Sequence, residues 1–245
     1  MSVPVRGVRR VGAASAPASL ARAAALSVVA LSVVASVVLA LVVLALVVAV
    51  PFAAAPARAA AAAQTDEWEI RSFQSVIEVD PDGSLLVTET IEVTFHQSRR
   101  GIYREIPFRY PYDARNRRVL DIDLIEVRTS PGTPSFTHEE RSGDFHVWRV
   151  GDERHYIRGD HTYTFVYRVR GALNRFDSHD ELFWNATGDR WEVPIPRVSV
   201  EVRVPDAEGG APAIRDVRCF AGATGGTDPC DGADATGAVA TFRHG

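Results

Sequence analysis

The chain has 245 residues, enough for one or two domains, and its charge is split unevenly along its length. Residues 1–63 carry five Arg and no acid, whereas residues 64–245 carry 22 Arg and all 31 Asp and Glu, a formal charge of −9. The acidic body speaks against general nucleic-acid binding, and its supply of Val, Ile, Phe, Tyr and Trp excludes a disordered tail.

Ala23 to Val50 is an uncharged run of 28 residues preceded by Arg6, Arg9, Arg10 and Arg22. As a helix rising ~1.5 Å per residue it exceeds the ~30 Å hydrocarbon core of a bilayer, and the arginines keep its N-terminus on the cytoplasmic side. Two readings of residues 1–63 stand. The small-residue sites Ala57-Arg58-Ala59 and Ala61-Ala62-Ala63 suit a cleaved signal peptide, and the length of the run suits an uncleaved signal anchor. Both hold the protein to the membrane through its leader, at least until cleavage, and both put residue 64 onward on the extracytoplasmic side. Without a leader or other attachment the body is expected to be secreted.

After residue 66 the apolar period becomes two. Phe73, Ile77 and Val79 alternate with polar neighbours, Asp80-Pro81-Asp82-Gly83 supplies turn chemistry, and Leu85, Val87, Ile91, Val93 and Phe95 share one face of a second strand. Glu89 lies on that same face. Burying an unpaired carboxylate costs several kcal/mol, so Glu89 needs a cation or a proton unless the strand is an edge. Arg104, in the following Arg-rich stretch, is the expected partner, in a structural ion pair. Seven Arg between Arg99 and Arg118 interleave with Tyr103, Phe108, Tyr110 and Tyr112. Such a mixture suits an anionic polymer or lipid headgroups, and equally a solvated loop whose arginines pair with nearby acids.

Leu120–Val127 and Phe145–Val150 are shorter strand candidates. Tyr163, Phe165, Tyr167 and Val169 alternate strictly, and Glu181–Asn185 and Glu192–Ile195 are further short candidates. Val198, Val200, Val202 and Val204 form a strand closed by Pro205. No helical stripe is present. The expected fold is all-β, an antiparallel β-sandwich of Ig-like general architecture over 64–205, preceded by one hydrophobic leader helix. Residues 206–245 read as a loop-rich extension with a strand near Val239–Phe242. Cys219 and Cys230, the only cysteines, have ten residues between them. In an exported chain they are expected to form a disulfide, since a metal site needs more ligands and redox chemistry prefers C-x-x-C.

Asp180, Glu181, Trp184, Asn185 and Trp191 have the composition of a sugar site, but adjacent carboxylates on a strand face opposite ways and cannot act as a hydrolytic pair. The histidines show no metal-ligand spacing, and neither a nucleophile elbow nor a phosphate loop is present. No catalytic, metal or cofactor residues are assigned, and the body is expected to be non-enzymatic.

Asp82 to Glu89, Gly101-Ile102-Tyr103-Arg104-Glu105-Ile106-Pro107, Glu181-Leu182-Phe183-Trp184-Asn185 with Gly188, Trp191-Glu192-Val193-Pro194-Ile195, and Cys219-Phe220-Ala221-Gly222 with Cys230 occur in that order. Over about residues 66–242 the chain resembles the N-terminal domain of the DUF2207 family. The resemblance implies a predicted bacterial membrane protein with an export signal and an extracytoplasmic β domain, usually followed by transmembrane helices and a low-complexity tail. Ending at Gly245, the chain is expected to be a fragment or to attach by its leader alone. The expected function is an envelope interaction module meeting a protein or envelope partner. The alternative is a module binding glycan or anionic cell-wall polymer, which solvent exposure of Tyr103, Trp184 and Trp191 would favour.

Overall fold

A computed structural model of the chain describes residues 1–5, 67–112, 115–206 and 213–245. The uncharged run at 23–50, the expected leader helix and the candidate cleavage sites lie outside the described residues. Among the described residues no helix is long and apolar enough to cross a membrane.

Among the described residues every regular element is a strand. In chain order they are β1 (Ser2–Val5), β2 (Trp68–Val79), β3 (Leu85–Arg99), β4 (Gly101–Pro107), β5 (Arg109–Pro111), β6 (Arg117–Val119), β7 (Asp121–Thr129), β8 (Thr137–Ser142) and β9 (Phe145–Gly151). There follow β10 (Ile157–Arg170), β11 (Leu173–Phe176), β12 (His179–Asn185), β13 (Val198–Arg203), β14 (Phe220–Ala221), β15 (Asp228–Pro229), β16 (Gly232–Thr236) and β17 (Val239–His244).

The all-β expectation holds over the described residues, but the strands divide among four sheets. The largest has seven strands in the order β16-β17-β13-β2-β3-β10-β7; the others are β11-β12-β1-β14-β15, β4-β9-β8 and β5-β6. The expected hairpin is β2 and β3, paired from Val79↔Leu85 to Trp68↔Phe95. Its turn closes with a hydrogen bond from Gly83 N to Asp80 O at 2.9 Å, and Gly83 takes the positive φ of 84° that this turn asks of its last residue. One pairing departs from the antiparallel expectation: β13 runs parallel to β2, from Val198↔Phe73 to Arg203↔Glu78. Alternation has the same period in both kinds of ladder, so residue pattern alone does not set strand direction. Glu192–Ile195 is not a strand. It lies in the segment connecting β12 to β13, where Pro194 within it and Pro196 just after it have no N–H to give to a ladder. The 206–245 stretch contributes β16 and β17, which extend the seven-stranded sheet beyond β13.

The core lies on one face of that sheet, where Phe73, Ile77, Val87, Ile91, Phe165 and Tyr167 are fully buried. At roughly 1.5–3 kcal/mol for each large apolar side chain, this face supplies much of the drive to fold. The three-stranded sheet packs against it through Trp148 of β9, which stacks on Phe165 at 5.9 Å and tilts against Tyr167 at 5.1 Å. Arg104 sits opposite Trp148 in the β4–β9 ladder and so faces the same core.

Candidate interaction surface

β3 is an interior strand of the seven-stranded sheet, so its inward residues have no route to water. Glu89 is 0% exposed, with Ser75 beside it on β2 and Phe165 on β10. Arg104 reaches it from β4: Nε donates to Glu89 Oε2 and Nη2 donates to Oε1, both at 2.7 Å. The Tyr167 hydroxyl donates to Oε1 at 2.6 Å, and Arg104 Nη1 donates to the Glu105 carbonyl at 2.8 Å. The guanidinium also lies 5.6 Å from the Phe73 ring centroid and 5.8 Å from that of Trp191. Burial opposes the charge on Arg104, but the charge and hydrogen bonds of Glu89, with those of Tyr167, outweigh it and raise its pKa. Burial and then the Glu89 carboxylate push the Tyr167 phenol well above its usual value, despite Arg104. This carboxylate and guanidinium form a fully enclosed, two-point hydrogen-bonded ion pair.

Alternation along β4 turns Arg104 inward and its neighbour Tyr103 outward. Tyr103 stands on the wall of an open groove of about 830 Å³, lined also by Phe136, Tyr156, Arg100, Arg149 and Glu153. Tyr103, Phe136 and Tyr156 are 57%, 67% and 57% exposed. Arg100 lies 4.7 Å over the Tyr156 ring, and its Nη2 donates to the Tyr156 hydroxyl at 2.5 Å, which fixes the angle of that ring. The floor is set by Gly101 and Gly151, which face each other across β4 and β9. A Cβ on Gly101 would stand 1.9 Å from the Val150 carbonyl oxygen, and one on Gly151 would stand 1.8 Å from that of Arg100.

The other residues singled out from sequence fall elsewhere. Trp184 is buried and lines a separate cavity of about 360 Å³ with Phe183 and Tyr110. Trp191 is half-buried, with its indole N–H donating to the Thr187 carbonyl at 2.7 Å. Of the three aromatic residues expected on a ligand surface, Tyr103 alone is well exposed. Asp180 is exposed and Glu181 buried, although alternation along β12 puts Asp180 on the face of the buried Leu182 and Trp184, and Glu181 on that of the exposed Phe183. The arginine run does not form one patch. Arg99 pairs with Glu67 and Glu192, Arg109 and Arg117 with Asp144, and Arg118 holds the carbonyls of Gly171, Ala172 and Leu173. Cys219 and Cys230 form a disulfide. Among the described residues there is no cluster of three or more His, Cys, Asp or Glu able to hold a metal ion. Phe136 and Tyr156 escape sequence reasoning because each is a lone aromatic in a connecting segment, and only the tertiary fold brings them beside Tyr103.

The model of the N-terminal domain of the predicted membrane proteins DUF2207 matches residues 69–245. The chain belongs to the DUF2207 family. No curated protein matches this DUF2207 domain. Solved structures to which it is similar include native leukotriene A4 hydrolase from Saccharomyces cerevisiae, at 10% identity and a TM-score of 0.44 over 73% of this chain and 27% of that one. Another is the M1 zinc metallopeptidase from Deinococcus radiodurans, at 10% identity and a TM-score of 0.35 over 73% of this chain and 38% of that one. The DUF2207 chain thus spans between about a quarter and two fifths of the length of those proteins.

Proposed function

We propose that this DUF2207 domain is a non-enzymatic interaction module on the extracytoplasmic face of the membrane, and that it meets a protein partner through the groove beside Tyr103. The observation that carries this reading is the convergence of three aromatic side chains, each more than half exposed, around one groove. Aromatic residues and arginine concentrate at the centres of protein interfaces, where Tyr103, Phe136, Tyr156 and Arg100 supply wide apolar contact with polar edges. The groove's Arg99, Arg100, Arg149 and Arg154 stand among Glu67, Asp152 and Glu153, so its charge is mixed. That balance suits a protein surface better than a polyanion, for which a field of one sign is wanted.

The disulfide supports the outer side, because cytosolic thiols are ordinarily kept reduced. The facing of the seven- and three-stranded sheets through Trp148 supports the description of the body as a sandwich in its general architecture. The separation of Asp180 from Glu181 supports a non-enzymatic role. The second reading is a module for glycan or wall polymer, favoured by Arg100 stacked on an exposed tyrosine.

The test places a photo-crosslinking amino acid at position 136 of the full chain expressed with its own leader. One discrete protein adduct, lost in Arg100→Ala/Tyr156→Ala, is the expected result. Retention on purified cell-wall material that the same double variant abolishes would replace the protein partner by a polymer. Neither adduct nor retention would remove the groove as the contact surface.

A further inference from the structure

Between β12 and β14 the five-stranded sheet is completed by the first residues of the chain. β1 pairs antiparallel with β12 from Ser2↔Asn185 to Val5↔Leu182, and with β14 at Ser2↔Phe220. Beyond the strand, the first residue is held at both of its main-chain groups. The Met1 α-amine donates to Thr187 Oγ1 at 2.6 Å, and Ala186 N donates to the Met1 carbonyl at 2.9 Å. Thr187 and Ala186 are 3% and 0% exposed, so these are interior groups. The turn that presents them is itself fixed. Gly188 N donates to Asn185 Oδ1 at 3.1 Å, the Thr187 hydroxyl donates to the Gly188 carbonyl at 3.2 Å, and Trp191 holds the Thr187 carbonyl. With its proton engaged on Gly188, the Thr187 oxygen turns a lone pair to the amine. Burial first, then the Arg104 charge, lowers the pKa of that amine, while Asp189 opposes them.

We propose that the space between β12 and β14 is a strand-acceptor slot that takes an extended peptide with a free α-amino terminus. Residues 1–5 show the occupant's chemistry: a strand of four residues for the β12 edge, a carbonyl for Ala186 N and an unblocked amine for Thr187. Main-chain pairing gives such a site its affinity, and the buried hydroxyl gives it selectivity for a terminus over an internal segment. The slot is separate from the groove at Tyr103. Residues 1–5 are joined to the body only through residues 6–66, which contain the uncharged run. On the extracytoplasmic reading, therefore, the donor in the cell is the amino terminus of another exported polypeptide. That last step rests on the proposed location, whereas the slot itself does not. Unfilled, the slot would leave the β12 edge with unpaired amides and carbonyls, which a body of this kind covers by adding a strand.

The test uses the full chain carrying Ser2→Pro and Val3→Pro. Successive N–H groups point to opposite neighbours, so these changes remove ladder donors on both sides of β1 and free the slot. The probe is the peptide Met-Ser-Val-Pro-Val with a C-terminal fluorophore, prepared with a free or an acetylated amine. Saturable binding of the free peptide, at least about tenfold tighter than the acetylated one, is the expected result, with a similar loss in Thr187→Val. An intact Cys219–Cys230 disulfide and a retained cooperative thermal transition show that the variants are folded. Binding indifferent to acetylation, or no saturable binding by a folded chain, overturns the proposal. In the otherwise unchanged chain, Pro4→Cys/Phe183→Cys reads the donor: a crosslinked dimer supports the slot with a second copy as donor, and a crosslink within one chain supports it with residues 1–5 in place. The mass of the processed protein tests export independently, so failure of that reading is told apart from failure of the slot.

Discussion

A Cβ built on Gly188 would stand 2.6 Å from Nη1 of Arg104, and Gly188 holds a φ of +77°. The turn after β12 thus runs directly against a guanidinium that cannot withdraw, since two of its nitrogens are bound to Glu89. Gly188→Ala is expected to cost about 1–2 kcal/mol for the left-handed backbone, with a further loss from displacing Arg104. In an Arg104→Met background the second part should shrink. Denaturant unfolding of the four chains checks this, and equal costs in both backgrounds would count against the contact.

Arg104→Met and Glu89→Leu each strand the other charge in the core and are expected to lose about 3–5 kcal/mol. The double variant replaces the pair with apolar groups, leaving the Tyr167 hydroxyl and the Glu105 carbonyl without these partners. It should recover a large part of the combined loss, with a coupling energy above about 1 kcal/mol in a double-mutant cycle. Simple additivity of the two losses would show that the pair does not act as a unit.

Cys219 and Cys230 close a short loop, and Cys219 leads directly into β14. In the chain-entropy picture Cys219→Ser/Cys230→Ser lowers stability by roughly 2–3 kcal/mol. A thiol reagent should label the purified wild-type protein only after reduction. Labelling before reduction would contradict the bond, and an unchanged unfolding midpoint in the variant would contradict its stabilising role.

His146 on β9 is buried against the Phe108 ring, with Nδ1 3.3 Å from Glu139 but not aligned for a hydrogen bond. Burial, then the Arg141 charge, lowers its pKa despite Glu139. The unfolded chain therefore binds this proton more readily than the folded one. The stabilisation is complete above the unfolded pKa of about 6.5 and is lost as pH falls from there through the lower folded value. Stability measured from pH 7.5 downward should fall in that window, with a shallower slope in His146→Gln. An identical slope in the variant would assign the effect to other groups.

Much of the strand content can be read from residue order. The β2–β3 hairpin, β10 and β13 show their buried faces as alternation, because a strand with one face in the core repeats every two residues, and β2 breaks that period once, where its register shifts between Ile70 and Ser72. The same logic makes Glu89 conspicuous, as a carboxylate in an apolar register. β4 is harder to see: its inward residues are Ile102, Arg104 and Ile106, and the central arginine breaks the apolar pattern. β8 has no fully buried residue and so leaves no periodic trace.

By itself the sequence determined where the long uncharged segment lies, that an all-β body follows it, and which polar residue in the hairpin needed a buried partner. These are matters of composition and local period. Tertiary structure alone decided that β13 runs parallel to β2, that Tyr103 meets Phe136 and Tyr156 while Trp184 turns inward, and that Thr187 meets the amine of Met1. Each joins residues remote in sequence or assigns one of two directions that give the same pattern. Alternation records whether a face is buried, but not against which strand.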